Sequence, residues 1–168
     1  MLKLTALFAI CVSCSLVLSS CEKDTESEAD VVSNFNIPMT RSNNVPATTG
    51  TGRIEATLDK KSKILTYKVT WSGLSSNAVA MHIHGLGGNG MIALPVPLGP
   101  FANGLAQNIT GFPAAKAGTH SGSLYVDDKV IKISDLVAGQ YYLDIHTVNF
   151  SSAMFPAGEI RGQLSFSK

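Results

Sequence analysis

The sequence predicts an all-β chain, a single antiparallel immunoglobulin-like or Greek-key β-sandwich, preceded by a signal peptide and a flexible tether. Three observations carry that prediction. Apolar and polar residues alternate with period two in six separate segments. Fifteen glycines and seven prolines punctuate the 168 residues, as in a chain of short strands and turns. No segment shows the apolar spacing of a helix of ordinary length.

Residues 1–20 read as a signal peptide. Lys3 is the only charge before Glu22, an apolar run extends from Leu4 to Leu18, and small residues follow. The run is too short for a spanning helix. Leu18-Ser19-Ser20-Cys21 resembles the bacterial lipobox, which implies that Cys21 is lipidated and becomes the first mature residue. Several acyl chains on one residue meet the two-signal requirement for stable anchoring. Residues 21–30 then form a tether. Five acids stand against Lys23, so the stretch is solvated and acts as a spacer. Lys23-Asp24 followed by acids resembles the export signal of surface lipoproteins in Bacteroidetes-type bacteria. The expected location is therefore the cell envelope, as an outer-membrane lipoprotein displayed at the surface, with the membrane as one partner.

Residues 31–168 are expected to form the one folded domain. In 53–58, Ile54, Ala56 and Leu58 alternate with polar residues; in 63–71, Leu65, Tyr67, Val69 and Trp71 share a face. Asp59-Lys60-Lys61-Ser62 predicts a hairpin link between them. In 79–84, Val79, Met81 and Ile83 are placed on one face and Ala80, His82 and His84 on the other. The pattern recurs in 119–126, 140–147 and 158–166. Residues 85–90 read as a glycine-rich turn. Residues 91–113, broken by four prolines, can hold an edge strand and a long loop. One helical turn is expected at 133–138, before Gly139.

Composition excludes several functions. The body carries 11 basic and 7 acidic residues with no basic cluster, which argues against nucleic acid. Its three cysteines all lie within the first 21 residues, so the domain has no internal disulfide, thiolate metal site or cysteine nucleophile. No Gly-X-Ser-X-Gly elbow occurs.

The candidate chemistry lies in histidines. His82 and His84, two apart on a strand, project from one face. Tyr142, Asp144 and His146 share a face of a later strand. Were the strands neighbours, His82, His84 and His146 would make a three-histidine metal site for copper or zinc, with Asp144 orienting a ligand through its second nitrogen. Glu159 and Arg161 are read as supporting residues, either a same-face pair or a hydrogen-bond partner for the histidines. His120 is expected to be exposed at a strand start. The competing reading makes each histidine a hydrogen-bonded structural residue.

The ordered motifs resemble the chordin-type, or CHRD, domain family across residues 31–167. They are Leu65-Thr66-Tyr67-Lys68-Val69 with Ser72-Gly73-Leu74, then His82-Ile83-His84-Gly85 with Asn89-Gly90. Tyr142-Leu143-Asp144-Ile145-His146-Thr147 follows, and Gly158-Glu159-Ile160-Arg161-Gly162-Gln163-Leu164 closes the series. The resemblance implies an immunoglobulin-like sandwich, with limited similarity to copper-zinc superoxide dismutases and no settled activity. His82-Ile83-His84 is similar to the copper-binding His-X-His of the dismutases. The chain lacks their subloop disulfide and their run of zinc ligands, Asp144 stands where the family often has Asn, and residues 148–156 are longer than the family spacing. Two functions follow as expectations. One is a non-catalytic binding module for an extracellular protein or glycan. The other is a mononuclear copper or zinc protein, for storage or dismutase-like redox chemistry.

Overall fold

A computed structural model describes residues 29–43, 45–87, 109–151, 155 and 158–166. The signal peptide, Cys21, most of the tether, and all but the last five residues of the segment 91–113, where an edge strand and a long loop are expected, lie outside the described residues. The described residues form seven strands: β1 (Val31–Arg41), β2 (Thr51–Asp59), β3 (Ile64–Ser72), β4 (Ala78–Gly85), β5 (Gly118–Tyr125), β6 (Tyr141–Thr147) and β7 (Ile160–Leu164). A single short helix, α1 (Ile133–Val137), precedes β6 among the described residues. Its terminal Gly139 adopts φ of 69°, the left-handed stop that an L side chain resists.

The strands form one curled antiparallel sheet in the order β4-β6-β7-β1-β2-β3-β5. Strand β1 joins its two halves. Val31 to Met39 pair with β2, whereas Thr40 and Arg41 pair with β7. A register shift between Asn34 and Ile37 interrupts the pairing with β2, which resumes from Ile37 to Met39. The two halves face each other across one core. Ile54, Leu58, Leu65, Val69 and Trp71 come from one side, and Met81, Ile83, Leu143, Ile145, Ile160 and Leu164 from the other. This is the all-β architecture the period-two pattern predicts.

The six expected strands are all present, with ends shifted by a few residues. Strand β1 is the addition. Its Phe35, Ile37 and Met39 alternate with Asn34, Asn36, Pro38 and Thr40, but asparagine and proline are unfavourable in a strand, and only Ile37 and Met39 are buried along it. The predicted hairpin link is an Asx turn: Asp59 Oδ1 accepts from the Lys61 and Ser62 amides at 2.9 and 3.0 Å.

The expected two-faced pattern at 79–84 is corrected in one respect. A register shift between Ala78 and Ala80 leaves Val79 47% exposed, so it does not join Met81 and Ile83 in the core. From Ala80 to His84 every residue is buried, as is every residue of β6. These strands are covered on both faces, one apolar and one polar.

Close packing fixes the other half. A methyl group on Gly118 would lie 2.6 Å from Trp71 Cζ2. The indole cannot readily yield, because its Nε1–H donates to the Ala115 carbonyl at 3.1 Å. Gly118→Ala should therefore lower unfolding stability by about 1–3 kcal/mol, the usual cost of overpacking. Chemical denaturation of the full chain measures it; an unchanged midpoint would show that the tryptophan is not locked.

Candidate functional site

The polar face of β4, β6 and β7 is a grid set by strand register. His82 lies opposite Asp144, and Asp144 opposite Arg161. His84 lies opposite Tyr142, and Tyr142 opposite Gln163. His146 lies opposite Ala80. Directly opposed residues and residues two apart on a strand share a face. Asp144 thus sits at the centre, with Tyr142 and His146 along its own strand and His82 and Arg161 on either side.

The side chains converge accordingly. Asp144 Oδ2 is 2.9 Å from His84 Nε2 and 3.0 Å from His146 Nε2, and Asp144 Oδ1 is 3.4 Å from His82 Nδ1. One ligand atom from each of the four residues fits within 4.8 Å. All four are buried. The segment after β6 supplies part of the cover, since Phe150 is itself buried and packs edge-on against Phe155.

Burial alone would push the Asp144 carboxyl up. The imidazoles of His146, His82 and His84 more than offset that and hold it far below the usual carboxylate range. The backbone N–H of His82 also donates to Asp144 Oδ1, at 3.2 Å. Yet His82 Nδ1, His146 Nε2 and Asp144 Oδ2 complete no hydrogen bond. The atoms are close, but the ring N–H directions miss the carboxylate oxygens.

His146 shows what is required. Its Nδ1 lies 3.2 Å from the Phe150 carbonyl, which can only accept, so Nδ1 carries the proton. Nε2 then faces Asp144 Oδ2 at 3.0 Å, a contact that is attractive only with a second ring proton or another cation between the two atoms. Two acceptors at that separation repel unless a cation lies between them. A proton serves one nitrogen–oxygen line only. A divalent ion serves all four donors at once, at about 2.0–2.2 Å each, which sets tetrahedral ligand atoms roughly 3.4 Å apart. The nitrogen–oxygen separations of 2.9–3.4 Å are close to that spacing. The residues present fit a metal ion with three nitrogens and one oxygen, a donor set suited to zinc or copper.

The structure brings together His82, His84, Asp144 and His146. It gives Asp144 a different place from the one expected. The carboxylate meets the inward nitrogens, and the outward nitrogen of His146 goes to Phe150, so Asp144 is a candidate ligand and Phe150 the orienting group. His120 is not in the cluster. It lies on β5, half-buried beside Tyr67 and Phe112, at the other end of the sheet order.

Arg161 and Tyr142 add a layer that the sequence reading left undrawn. The Arg161 guanidinium lies 3.5 Å over the Tyr142 ring, and that ring stacks on His84 at 4.6 Å and 6°. Tyr142 thereby fixes the plane of His84. The shared face of residues 142, 144 and 146 was the available signal, but the stack needs the register of β4 and β7.

Glu159 serves another purpose. Its Oε1 accepts from the Thr48 hydroxyl and, at 2.9 Å, from the Ser75 amide; its Oε2 accepts from the hydroxyls of Ser75 and Thr147, each at 2.7 Å. It thus ties the β1–β2 and β3–β4 connections to the end of β6. The extra length of the 148–156 segment does not part the strands, since the Glu159 N–H donates to Ile145 O at 2.8 Å.

Burial raises the Glu159 carboxyl, but these donors outweigh it and set its pKa below the ordinary value. A lowered folded-state pKa adds stability that is present above the unfolded-state value and is lost as pH falls through the folded-state value. Glu159→Gln should cost about 1.5–3 kcal/mol at neutral pH, the range for hydrogen bonds to a charged group. It should also flatten the decline in thermal midpoint below pH 4.5, the ordinary value for a glutamate. Melting curves of both chains across pH 3–7 test this; parallel curves would exclude Glu159 from the acid response.

A family model described as the CHRD domain matches residues 35–164. No curated protein and no solved structure matches the chain.

Proposed function

This chain belongs to the CHRD domain family, and on that premise we propose that it is a metal-binding β-domain of the bacterial cell envelope, held to the membrane through a lipidated Cys21. The observation that carries the metal reading is the meeting of His146 Nε2 and Asp144 Oδ2, 3.0 Å apart in a buried site and completing no hydrogen bond, with two further imidazoles beside them. His82, His84, His146 and Asp144 would hold the ion, and zinc or copper suits the donors. Four protein ligands complete a tetrahedron, the arrangement of structural and storage sites; a catalytic ion keeps a position open. The reading is therefore of a bound, retained metal and not of a turnover enzyme. Bound there, the ion would supply the positive charge that the buried carboxylate and lone pairs require. The chain's own residues orient the donors: Phe150 fixes the His146 tautomer, and Tyr142 fixes the plane of His84.

A second reading, an adhesive module for an extracellular protein or glycan, draws on the other half of the sheet. Ser33, Thr57, Thr66 and Ser123 lie opposite one another across four strands, forming a row of hydroxyls near the exposed ring of Phe35. Such a surface can hydrogen-bond a sugar. The two readings occupy different faces and can both hold.

Metal content tests the first. The full chain, purified in mild detergent and dialysed after exposure to zinc or copper, should carry roughly one equivalent by elemental analysis. Metal at a hundredfold excess over its Kd should stabilise the fold by about 2.7 kcal/mol. The double variant His82→Ala/His84→Ala should bind none while keeping its β-type circular dichroism. Substoichiometric metal in the native chain, with no rise in thermal midpoint, would overturn the reading and leave the adhesive one.

The anchor has its own test. Cys21→Ser should move the chain from the membrane pellet to the soluble fraction and abolish acylation seen by mass spectrometry. An unmodified Cys21 in the native chain would refute the anchor.

A further inference from the structure

The outer face of β1, β2, β3 and β5 carries a shallow groove of about 270 Å³, lined by Phe35, Glu55, Thr57, Thr66, Lys68 and Ser121. We propose that this groove binds a neutral polysaccharide, with a pyranose ring stacked on Phe35 and its hydroxyls bonded to Thr57, Thr66 and the Glu55–Lys68 pair. The inference rests on the adhesive reading above and names its ligand and its residues.

Register sets the chemistry of the groove. Thr57 lies opposite Thr66, and Glu55 opposite Lys68, whose other neighbour is Ser121. Polar side chains therefore repeat about every 4.8 Å across the strands and about every 6.6 Å along them. Each hydroxyl here both donates and accepts, as each hydroxyl of a sugar does, so the two sets pair in either sense. Ser33 Oγ and Thr57 Oγ1 share a hydrogen bond at 3.0 Å, which holds the Thr57 hydroxyl in place.

The aromatic platform comes from the irregularity in β1. Asn34 pairs with Ala56 and Ile37 with Ile54, so Phe35 and Asn36 stand opposite the single residue Glu55. Such a bulge re-aims the side chains it carries. Phe35 is left 63% exposed, whereas the other described phenylalanines are buried or half-buried. An exposed ring has apolar area still to bury. A pyranose presents an apolar C–H face and a hydroxyl edge, so it can cover the ring and reach the carboxylate beside it.

Charge selects an uncharged ligand. The described lining residues hold one acid and one base, Glu55 and Lys68, 3.7 Å apart. Glu55 also accepts from Arg53 at 2.7 Å. A carboxylate accepts from two neighbouring hydroxyls and an ammonium donates to a third, without an ion being needed for balance. Arg53, Thr70 and Ser72 line a second depression of about 200 Å³ on the same face. Polar surface thus continues past one ring, which suits a polymer over a single sugar.

The test is native affinity electrophoresis of the full chain in a sugar-free detergent, through gels containing β-glucan, mannan or galactan, with alginate as the acidic control. At least one neutral polymer should retard the native chain, and alginate should not. Phe35→Ala should weaken that binding about tenfold or more, and Thr57→Val and Thr66→Val about three- to tenfold each. Thermal midpoint and bound metal should stay unchanged in the Phe35 variant, whose side chain is exposed. Retardation that survives Phe35→Ala would overturn the inference and leave the adhesive reading in place, since the sugar would then lie on another face. Retardation by alginate alone would overturn it too. No retardation by any polymer would overturn it and leave the adhesive reading only its protein partner. A dimer in light scattering that Phe35→Ala dissolves would give the face to a second copy of the chain and likewise overturn it.

Discussion

The buried carboxylate of Asp144 is the constraint from which the polar half of the domain is organised. An ionised group with no exposure to water needs positive charge or donors on every side. Strand register supplies them. His82 and Arg161 come from the flanking strands, His146 from the same strand, and His84 from the diagonal. A slip of one residue in either pairing would turn Asp144's neighbours into the apolar core and leave the acid against Ile83 or Gly162. The site and the sheet therefore specify each other.

The two buried acids of the domain show two ways of meeting the same demand. Glu159 is satisfied by neutral donors, three hydroxyls and one amide, and ties two connections to the end of β6. Asp144 accepts the backbone N–H of His82, while the facing nitrogens of His82 and His146 complete no hydrogen bond to it. The first arrangement is complete in protein atoms alone. The second is not, and this contrast within one sheet separates a structural acid from a candidate ligand.

The stack of Arg161, Tyr142 and His84 joins the cluster to a cavity between β1 and β7. Arg161 belongs to both. One face rests on the ring that positions a histidine, and the same side chain lines the cavity.

Period two by itself determined the all-β class, six of the seven strands, and the shared faces of His82 with His84 and of Tyr142 with Asp144 and His146. These are local properties, because alternation along a strand needs no partner. Strand β1 carries the same alternation over residues 34–40, but its asparagines and proline are unfavourable for a strand and mask it. Tertiary structure alone decided that the His82 and Asp144 strands pair, and in which register. It also decided that Glu159 turns to Thr48, Ser75 and Thr147, and that Arg161 covers Tyr142. Those choices rest on hydrogen bonds between segments as much as 111 residues apart, to which no local pattern is sensitive.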